Sequence, residues 1–161
     1  MPKVKTEAIT PADRAAVDAL TRAFWGETRI LTVAGAIETQ GMPVAVARLD
    51  GAFAGAVTWR REGDALQIVT IATTDPGRGV GRALLAAAEA AARAEGATRV
   101  VVSTVNSNLA ALGFYQRNGY ALTALHAGAI AALRRLKPSI PEVDGNGIPI
   151  RDQIDLEKRL G

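Results

Sequence analysis

A glycine-rich turn between a predicted strand and a predicted helix constrains this chain more than any other part of its sequence. The segment Asp75–Leu85 carries glycines at positions 77, 79 and 81, follows the strand-like run Leu66–Thr73 and leads into an alanine-rich helical run. Glycine removes side chains from one edge of the loop. The helix that follows points the positive end of its dipole and its unpaired N–H groups at the same place. With the added charge of Arg78 and Arg82, the pattern predicts either a phosphate cradle or a plain tight turn.

Two well-known phosphate cradles fit this segment poorly. A P-loop places Lys and then Ser or Thr after its last glycine, whereas Arg82 and Ala83 stand there. The dinucleotide-binding fingerprint needs a small residue three positions after its second glycine. Either choice of glycines puts Leu84 or Arg82 at that position. Neither class of nucleotide-binding protein is therefore predicted.

A second motif, Asn108-x-x-Ala111-x-x-Phe114-Tyr115-x-x-x-Gly119-Tyr120, follows the predicted strand Arg99–Thr104. In this order the two segments resemble the GCN5-related N-acetyltransferase (GNAT) superfamily over residues 64–122. In that family the first segment is the pyrophosphate-binding motif, Gln/Arg-x-x-Gly-x-Gly/Ala, which opens the central helix. The second carries an Asn, a small residue and an aromatic pair, with a Tyr near the cofactor sulfur. The leading Gln/Arg of the first motif falls on Pro76, which has neither a charged side chain nor a backbone N–H.

The resemblance implies a binding site for acetyl-CoA. The end of the strand before the loop would present its backbone to the pantetheine arm, and the loop would take the pyrophosphate. The charge that Pro76 lacks would come from Arg78 and Arg82. The implied cofactor-binding residues are Ile71, Ala72, Thr73, Gly77, Arg78, Gly79, Val80, Gly81, Arg82, Asn108 and Tyr115.

Tyr115 matches the family's catalytic position. Its hydroxyl would donate a proton to the leaving thiolate, whose ordinary pKa lies near ~8.5, or stabilise the charge as it forms. The alternative is that Tyr115 only packs in the core, as we expect of Phe114 and Tyr120. Asn108 would bind the cofactor, cap its helix, or do both.

The sequence leaves the general base open. Direct attack of an amine on a thioester needs no protein nucleophile, which agrees with a chain that has no Cys. Glu62 and Asp64 stand at the start of the strand that leads to the loop, whose central positions carry no carboxylate, and Glu27 and Glu38 belong to the N-terminal part. All four are more typical of solvated surface charges. Deprotonation through ordered water fits equally well, and His126 is interpreted as an ordinary polar residue after a strand.

Composition narrows the classes of partner. The absence of Cys excludes disulfides and thiolate metal sites, and a single His argues against a histidine-based metal site. A net charge of +3 with 4% aromatic residues provides no basic stripe interleaved with aromatics, so nucleic acid is not an expected partner. No apolar run approaches the ~18 residues of a membrane span, and the N-terminus has no apolar export segment. The expected location is the cytoplasm.

The order of elements predicts an α+β protein with a GNAT fold and one domain over residues 1–161. We expect a central mixed, mostly antiparallel sheet of about six to seven strands with one parallel crossover, flanked by helices. The predicted strands are Val4–Ile9, Val44–Leu49, Phe53–Arg60, Ala65–Thr73, Arg99–Thr104, Tyr120–Leu125 and a last one around Ile154 and Leu156, while Ile30–Val33 is ambiguous. The predicted helices run from Thr10 to about Phe24, then over Gly79–Glu95, Asn108–Arg117 and Ala127–Leu136.

The segment between the last helix and the last strand is long and rich in turn-forming residues. The stretch Leu136–Pro141, followed by Gly147–Asp152, resembles the C-terminus of a bacterial GNAT subgroup with an extended loop before the final strand. Such a loop would either cover the acceptor side of the cleft or close the core as a hydrophobic flap.

Together these features predict an acetyl-CoA-dependent N-acetyltransferase that acetylates a primary amine. The acceptor would be a small polyamine or amino-acid derivative, an aminoglycoside-like compound, or a protein N-terminus or lysine. A homodimer is also an expected partner, because members of the family often dimerise. Two alternatives stay open: a non-catalytic acyl-CoA-binding regulator, which needs no acid, and a toxin-like enzyme acting on aminoacyl-tRNA, which the pI of 9.7 suggests.

Overall fold

A computed structural model describes residues 3–161 and gives the chain an α+β fold. Seven strands form one mixed sheet, and four α-helices accompany it in the described residues. The helices are α1 Arg14–Trp25, α2 Val80–Ala94, α3 Leu109–Arg117 and α4 Ala129–Leu136. The strands are β1 Val4–Ala8, β2 Arg29–Thr32, β3 Gly35–Glu38, β4 Val44–Leu49, β5 Ala52–Glu62, β6 Ala65–Thr73, β7 Arg99–Val105, β8 Ala121–His126 and β9 Gln153–Arg159.

The large sheet has the strand order β1-β4-β5-β6-β7-β9-β8, and β2 pairs with β3 in a separate two-stranded sheet. The chain divides into two compact units. The first contains residues up to Ile30, Ile37–Val100 and Arg159–Gly161, and the second contains Leu31–Ala36 and Val101–Lys158. The α+β class and the number of strands in the central sheet are thus confirmed, whereas a single domain over residues 1–161 stays a prediction.

In the first unit, antiparallel pairing joins β1 to β4, β4 to β5 and β5 to β6. Asp50 and Gly51 connect β4 to β5 with φ values of 51° and 88°. Two successive positive φ angles make the tight hairpin turn that the Asp-Gly pair predicts, because this turn matches the twist of the strands. A small apolar cluster lies between this sheet and α1, formed by Val17, Val44, Val46 and Ala56.

Gly55 fixes the spacing of β5 and β6 beside the glycine-rich loop. A Cβ atom at this position would lie 2.6 Å from the carbonyl oxygen of Ala72, so any side chain would push the strands apart. One residue beyond β6, the N–H of Thr74 still donates to the carbonyl of Ala54 at 2.9 Å. The strand therefore enters the loop from a closely held position.

Helix α2 follows the loop and packs an apolar face against strands β1, β4, β5 and β6. Gly79 is its N-cap and Gly96, with φ of 75°, lies just past its C-terminal end, as predicted. Val80, Leu84, Leu85, Ala88 and Ala92 are fully or almost fully buried. Ala91, which the helical spacing also predicts to face inward, is half-buried. This burial is what holds the start of the helix at the loop.

In the second unit, a dense set of hydrogen bonds holds the predicted long loop, residues 137–152. Arg134 donates to the carbonyl oxygens of Ile140, Pro141 and Ile150 at 2.7–3.0 Å. The Asn106 side chain, just after β7, donates to the carbonyl of Pro149 and accepts from the N–H groups of residues 151 and 152. These hydrogen bonds hold the loop to the rest of the second unit, although nothing assigns it to a particular GNAT subgroup.

Three details differ from the expectations. The apolar spacing of α1 predicts that Phe24 faces the core, yet its side chain is 59% exposed, because Val17 and Thr21 form the buried face of the helix. The strand Gly35–Glu38 was missed, since only one of its four residues is buried. The three successive valines at 100–102 predict a strand buried on both faces, but along β7 only Val100 and Val102 are fully covered. None of the helices within residues 3–161 is both long and apolar enough to cross a membrane.

Candidate active site

The glycine-rich loop is an exposed segment of the first unit whose shape requires glycine. Residues 74–79 are all exposed, and Gly77 and Gly79 have φ angles of 82° and 79°. A Cβ atom on either residue would meet nothing within 4 Å, so the constraint lies in the backbone conformation and not in crowding. The loop therefore offers its backbone to solvent without side chains in the way.

The N-terminus of α2 is open at this loop. Its N-cap is Gly79, which has no side chain to accept a hydrogen bond from the first turn. The earliest helical N–H with a partner in the helix is that of Ala83, which donates to the Gly79 carbonyl at 3.1 Å. The N–H groups of Val80, Gly81 and Arg82 come before it and have no partner inside the helix. An anion placed here would accept these bonds and lie at the positive end of the helix dipole.

The two arginines beside the loop differ in their surroundings. The Arg78 guanidinium lies 3.4 Å from the Asp75 carboxylate, and both side chains are about half exposed. Arg82 is exposed and has no ion-pair or hydrogen-bond partner among residues 3–161. Arg82 thus keeps its full positive charge, whereas the ion pair with Asp75 partly neutralises the charge of Arg78.

The end of β6 is firmly held along one edge. Ile71, Ala72 and Thr73 pair with Val57, Ala56 and Gly55 of β5. Inside the sheet, the hydroxyls of Thr58 and Thr70 lie 2.6 Å apart and are buried. This pairing uses the hydrogen-bonding groups on the β5 side and fixes the course of the backbone toward the loop.

In the second unit, Asn108 caps α3. Its side-chain oxygen accepts a hydrogen bond from the N–H of Ala111 at 3.1 Å. An N-cap Asn satisfies one of the orphan donors of the first turn, which is the structural half of its predicted role. Asn108 is itself exposed, and its amide nitrogen donates no hydrogen bond within residues 3–161.

Tyr115 lies on α3 with its ring buried against two other aromatic rings. Its ring centroid is 5.4 Å from that of Phe114 and 5.9 Å from that of Tyr120, and only 5% of the residue is exposed. Burial raises the pKa of the phenol well above its usual value, so the group keeps its proton at neutral pH. The hydroxyl has no hydrogen-bond partner in residues 3–161. Since the only fully enclosed, unpartnered side-chain polar atom described is Trp59 Nε1, the Tyr115 hydroxyl must reach solvent.

The four carboxylates considered as bases all have partners in the first unit. Glu62 lies 3.0 Å from the Arg60 guanidinium and Glu27 lies 3.5 Å from that of Arg29. A hydrogen bond from the backbone of Gln40 lowers the pKa of Glu38, and the Arg99 guanidinium lowers that of Asp64. A lowered pKa means a weaker base, which argues against Glu38 and Asp64.

Sequence reasoning missed a polar cluster that spans three strands of the second unit. The Asp155 carboxylate accepts hydrogen bonds from Ser103 Oγ at 2.7 Å and from Gln153 Nε2 at 2.9 Å, both on Oδ1. Its other oxygen, Oδ2, lies 2.6 Å from Nε2 of His126. His126 is the last residue of β8 and not a loop residue after it. These residues stand far apart in the sequence, so only the spacing Asp155–Gln153 on an alternating strand could have hinted at a shared face.

Within the described chain, no group of three or more His, Asp or Glu side chains is placed to hold a metal ion. The structure brings together the glycine loop, the open end of α2 and Arg82 in the first unit. In the second unit it brings together Tyr115 with its aromatic neighbours, and separately Ser103, His126, Gln153 and Asp155. These groups can bind an anion, donate a hydrogen bond and accept a proton.

Comparison with known proteins identifies the family. The sequence profile described as "Acetyltransferase (GNAT) family" matches residues 14–120, which is more than half of the chain. The Bacillus subtilis (strain 168) protein named "Uncharacterized protein YxbD" is 33% identical over 145 residues, covering 89% of this chain and 91% of that protein. The chain therefore belongs to the acetyltransferase (GNAT) family, and it is an N-acetyltransferase whose acetyl donor is acetyl-CoA.

Two solved structures share this fold. The "IAA acetyltransferase from Bacillus cereus ATCC 14579" superposes with a TM-score of 0.69 at 24% identity, covering 98% of this chain and 100% of that one. A Bacillus subtilis acetyltransferase solved in complex with CoA superposes with a TM-score of 0.70 at 19% identity, and the match covers all of both chains. At this level of identity the likeness concerns the fold.

Proposed function

We propose that this protein transfers the acetyl group of acetyl-CoA to a primary amine by direct attack, with Tyr115 as the general acid. The observation that carries this proposal is the state of Tyr115: a buried ring, a pKa raised by burial, and a hydroxyl that no residue among 3–161 occupies. A phenol in this condition is protonated and available at neutral pH, as a donor to a developing thiolate must be.

The first unit would bind the donor substrate. The open N–H groups at the start of α2, framed by Gly77, Gly79 and Gly81, match a pyrophosphate in charge and in hydrogen-bonding capacity. Arg82 would add the cation that Pro76 cannot provide, and Arg78 would contribute less because Asp75 already holds it. Backbone groups of Ile71, Ala72 and Thr73 would run beside the pantetheine arm.

The second unit would supply the chemistry. The thioester of acetyl-CoA provides a carbonyl carbon activated for attack, so no acyl-enzyme is required. As the C–S bond breaks, negative charge develops on sulfur, and a hydrogen bond from the Tyr115 hydroxyl would stabilise it. Because this phenol is a weaker acid than a thiol, whose ordinary pKa is about 8.5, Tyr115 would first stabilise the charge by this hydrogen bond. Its proton would move to the sulfur only as a proton leaving the amine nitrogen replaces it. The exposed amide of Asn108 would bind the donor while its oxygen caps α3.

The acceptor would be a polyamine, an amino-acid derivative, an aminoglycoside-like compound, or the amine of a protein N-terminus or lysine. We further propose a cytoplasmic enzyme, a homodimer as its assembly and no nucleic-acid partner. The non-catalytic regulator is disfavoured as an alternative, since a regulator would have no use for a Tyr115 hydroxyl without a partner among residues 3–161. The tRNA-directed alternative has no supporting observation among the described residues.

The test is release of CoA thiol from acetyl-CoA in the presence of single amines. The probes are spermidine, kanamycin, a peptide with a free N-terminal alanine, and an N-acetylated peptide with one lysine. We expect at least one to give acetylated product, detected by mass, at a rate that depends on enzyme concentration. Binding of acetyl-CoA without transfer to any of the four would instead favour the regulator.

A further inference from the structure

We infer that His126, oriented by Asp155, is the general base that takes the proton from the acceptor amine. This inference rests on the proposed function, because it assigns the base that direct attack on the thioester requires. A primary amine is an ammonium ion at neutral pH and cannot attack until it loses a proton. Histidine is the side chain whose ordinary titration lies nearest to neutral pH, which suits it to that step.

The hydrogen bonds of Asp155 fix which nitrogen of His126 can act. Burial pushes the pKa of Asp155 upward, but hydrogen bonds from Ser103, Gln153 and His126 outweigh it and lower the pKa overall. The carboxylate is therefore ionised at neutral pH and can only accept hydrogen bonds. Nε2 of His126, 2.6 Å from Oδ2, must then carry the hydrogen. In the neutral ring this leaves a lone pair on Nδ1, for which residues 3–161 provide no partner.

The carboxylate is held as an orienting group would have to be. Oδ1 is occupied by the Ser103 hydroxyl and the Gln153 amide, so Oδ2 is left for the imidazole. Gln153 is itself 6% exposed, and its side-chain oxygen accepts a hydrogen bond from the N–H of Val33. The His126 and Asp155 side chains are 36% and 29% exposed, so a solute can reach the ring although its partner is held in place.

The cluster lies at the edge of the sheet where α3 begins. Strand β8 ends at His126, and β9, antiparallel to β8, begins opposite it at Gln153. The N–H of Asn106, just past the end of β7, donates to the carbonyl of Asp152, just before β9. Two residues after Asn106 comes Asn108, the cap of the helix that carries Tyr115. His126, the proposed base, and the start of α3, the helix that carries Tyr115, thus lie at the same edge of the second unit.

The two charged residues directly before β9, Arg151 and Asp152, are already paired with each other. Asp152 accepts from the N–H of Gly128 at 2.8 Å and lies 3.5 Å from the Arg151 guanidinium. The Leu31–Ala36 segment, which reaches Gln153 through Val33, contains no charged residue. Among residues 3–161, Asp155 is the charged group that lies within hydrogen-bonding distance of His126.

The proton balance of the step is simple. Nδ1 takes one proton from the ammonium group, and the amine lone pair attacks the thioester carbonyl. The C–N bond forms and the C–S bond breaks. Of the two protons that leave the nitrogen over the reaction, one ends on the CoA sulfur and the other leaves through His126 to solvent. No oxidant, reductant or further reactant is needed.

Because His126 is the only histidine in the sequence, its ring can be followed without interference. Nitrogen NMR of the wild-type protein labelled at histidine should show the tautomer with hydrogen on Nε2. The Asp155→Asn variant should lose that preference, because its amide no longer requires a donor. A wild-type ring that carries its hydrogen on Nδ1 would overturn the inference, whatever the variants do.

The kinetic test compares His126→Gln with wild type in the four-amine assay across pH 6–10. We expect kcat/KM at pH 7 to fall about a hundredfold or more, with the Kd for acetyl-CoA changed less than about twofold. In the variant, the rate should rise about tenfold per pH unit as the amine deprotonates by itself. Asp155→Asn should show a smaller loss of the same kind. Asp18→Asn, which removes a carboxylate from α1 in the first unit, is the matched control and should retain wild-type rates.

Chemical rescue separates a base from a structural residue. With His126→Ala, added imidazole should restore part of the lost rate, since the ring is partly open to solvent, and imidazole should not affect the control. A variant that binds and transfers like wild type, with the same pH profile, would overturn this inference alone. A wild-type protein that binds no acetyl-CoA, or acetylates none of the four amines, would overturn the proposed function and this inference with it.

Discussion

Two groups of residues are built in opposite ways: the glycine-rich loop at residues 74–82, and the polar cluster of Ser103, His126, Gln153 and Asp155. The loop uses backbone N–H groups from consecutive residues, and its side chains contribute mainly by being absent. The cluster uses side chains from three strands, and its first and last residues, Ser103 and Asp155, are 52 positions apart in the sequence. A site formed by the backbone of consecutive residues can be recognised in one stretch of the sequence. A site built across strands becomes visible only once the register of those strands is known.

The comparison also separates two kinds of effect. Changes in the loop should act on the binding of the acetyl donor, because its backbone would hold phosphate. Changes to Tyr115 and His126, the proposed acid and base, should act on turnover while donor binding persists. The following variants test that separation, beginning with the largest effect.

Tyr115→Phe should lower kcat about a hundredfold and change the Kd for acetyl-CoA less than about threefold. The ring and its packing are kept, and the hydroxyl has no partner among residues 3–161 to lose, so the melting temperature should stay near that of wild type. Tyr120→Phe makes the same chemical change one ring away and should keep kcat. Equal turnover of the two variants would show that Tyr115 is only a core residue.

Gly79→Ala should weaken acetyl-CoA binding about tenfold while kcat at saturating donor stays within about threefold of wild type. A side chain at φ of 79° is strained by roughly 1–2 kcal/mol, and the loop would relax away from the shape that aims its N–H groups. Gly63→Ala provides the matched control: its φ is 59°, no atom lies within 4 Å of the added Cβ, and it stands in the turn before β6. Calorimetric titration should show unchanged donor binding for Gly63→Ala. Similar losses of binding in both variants would mean that strain alone, not the cradle, explains the effect.

Arg82→Gln should weaken acetyl-CoA binding about fivefold, and Arg78→Gln about twofold. The difference arises because Asp75 already neutralises much of Arg78, whereas Arg82 has no partner in the described chain. Asp75→Asn should strengthen binding slightly, since it frees Arg78 and removes a negative charge near the phosphates. Raising the salt concentration should shrink all three differences, because these groups are exposed. A larger loss for Arg78→Gln than for Arg82→Gln would reverse this assignment.

Asn108→Ala should lower the free energy of unfolding by about 1 kcal/mol, the usual cost of losing an N-cap. Asn108→Asp keeps an oxygen that can accept from Ala111 and should stay within a few tenths of a kcal/mol of wild type in denaturant unfolding. If both variants also bind acetyl-CoA like wild type, the role of Asn108 is only to cap α3. Loss of acetyl-CoA binding in Asn108→Asp, with stability retained, would show that the amide nitrogen contacts acetyl-CoA.

Much of the fold could be predicted from the sequence, because turns, strand ends and helix caps depend mainly on residues that are neighbours along the chain. The pair Asp50–Gly51 predicted the hairpin, the strand Ala65–Thr73 has the predicted bounds, and Asn108 caps α3 as expected. Errors arose where tertiary contacts decide burial. The apolar stripe of α1 suggested that Phe24 faces inward, but the sheet covers Val17 and leaves Phe24 exposed.

The residues of the candidate site show the same difference between features set by local sequence and features set by tertiary contacts. The glycines of the loop, Arg82 and Tyr115 could be identified from motifs, because each motif is short and ordered along the chain. The pairing of Arg78 with Asp75 and the contact between His126 and Asp155 could not, since both depend on side-chain geometry. A lone histidine near a strand end is indistinguishable in sequence from a surface residue. Its orientation by Asp155 requires the antiparallel register of β8 and β9.

The most direct measurement of the central claim is the melting temperature of the purified protein across a titration of acetyl-CoA, with desulfo-CoA and NADH as controls. A ligand that binds only the native state adds about 2.7 kcal/mol at a hundredfold excess over its Kd, which is several degrees for a protein of this size. We predict a dose-dependent rise with acetyl-CoA and desulfo-CoA and none with NADH. An unchanged melting temperature at millimolar acetyl-CoA, or an equal rise with NADH, would contradict the account.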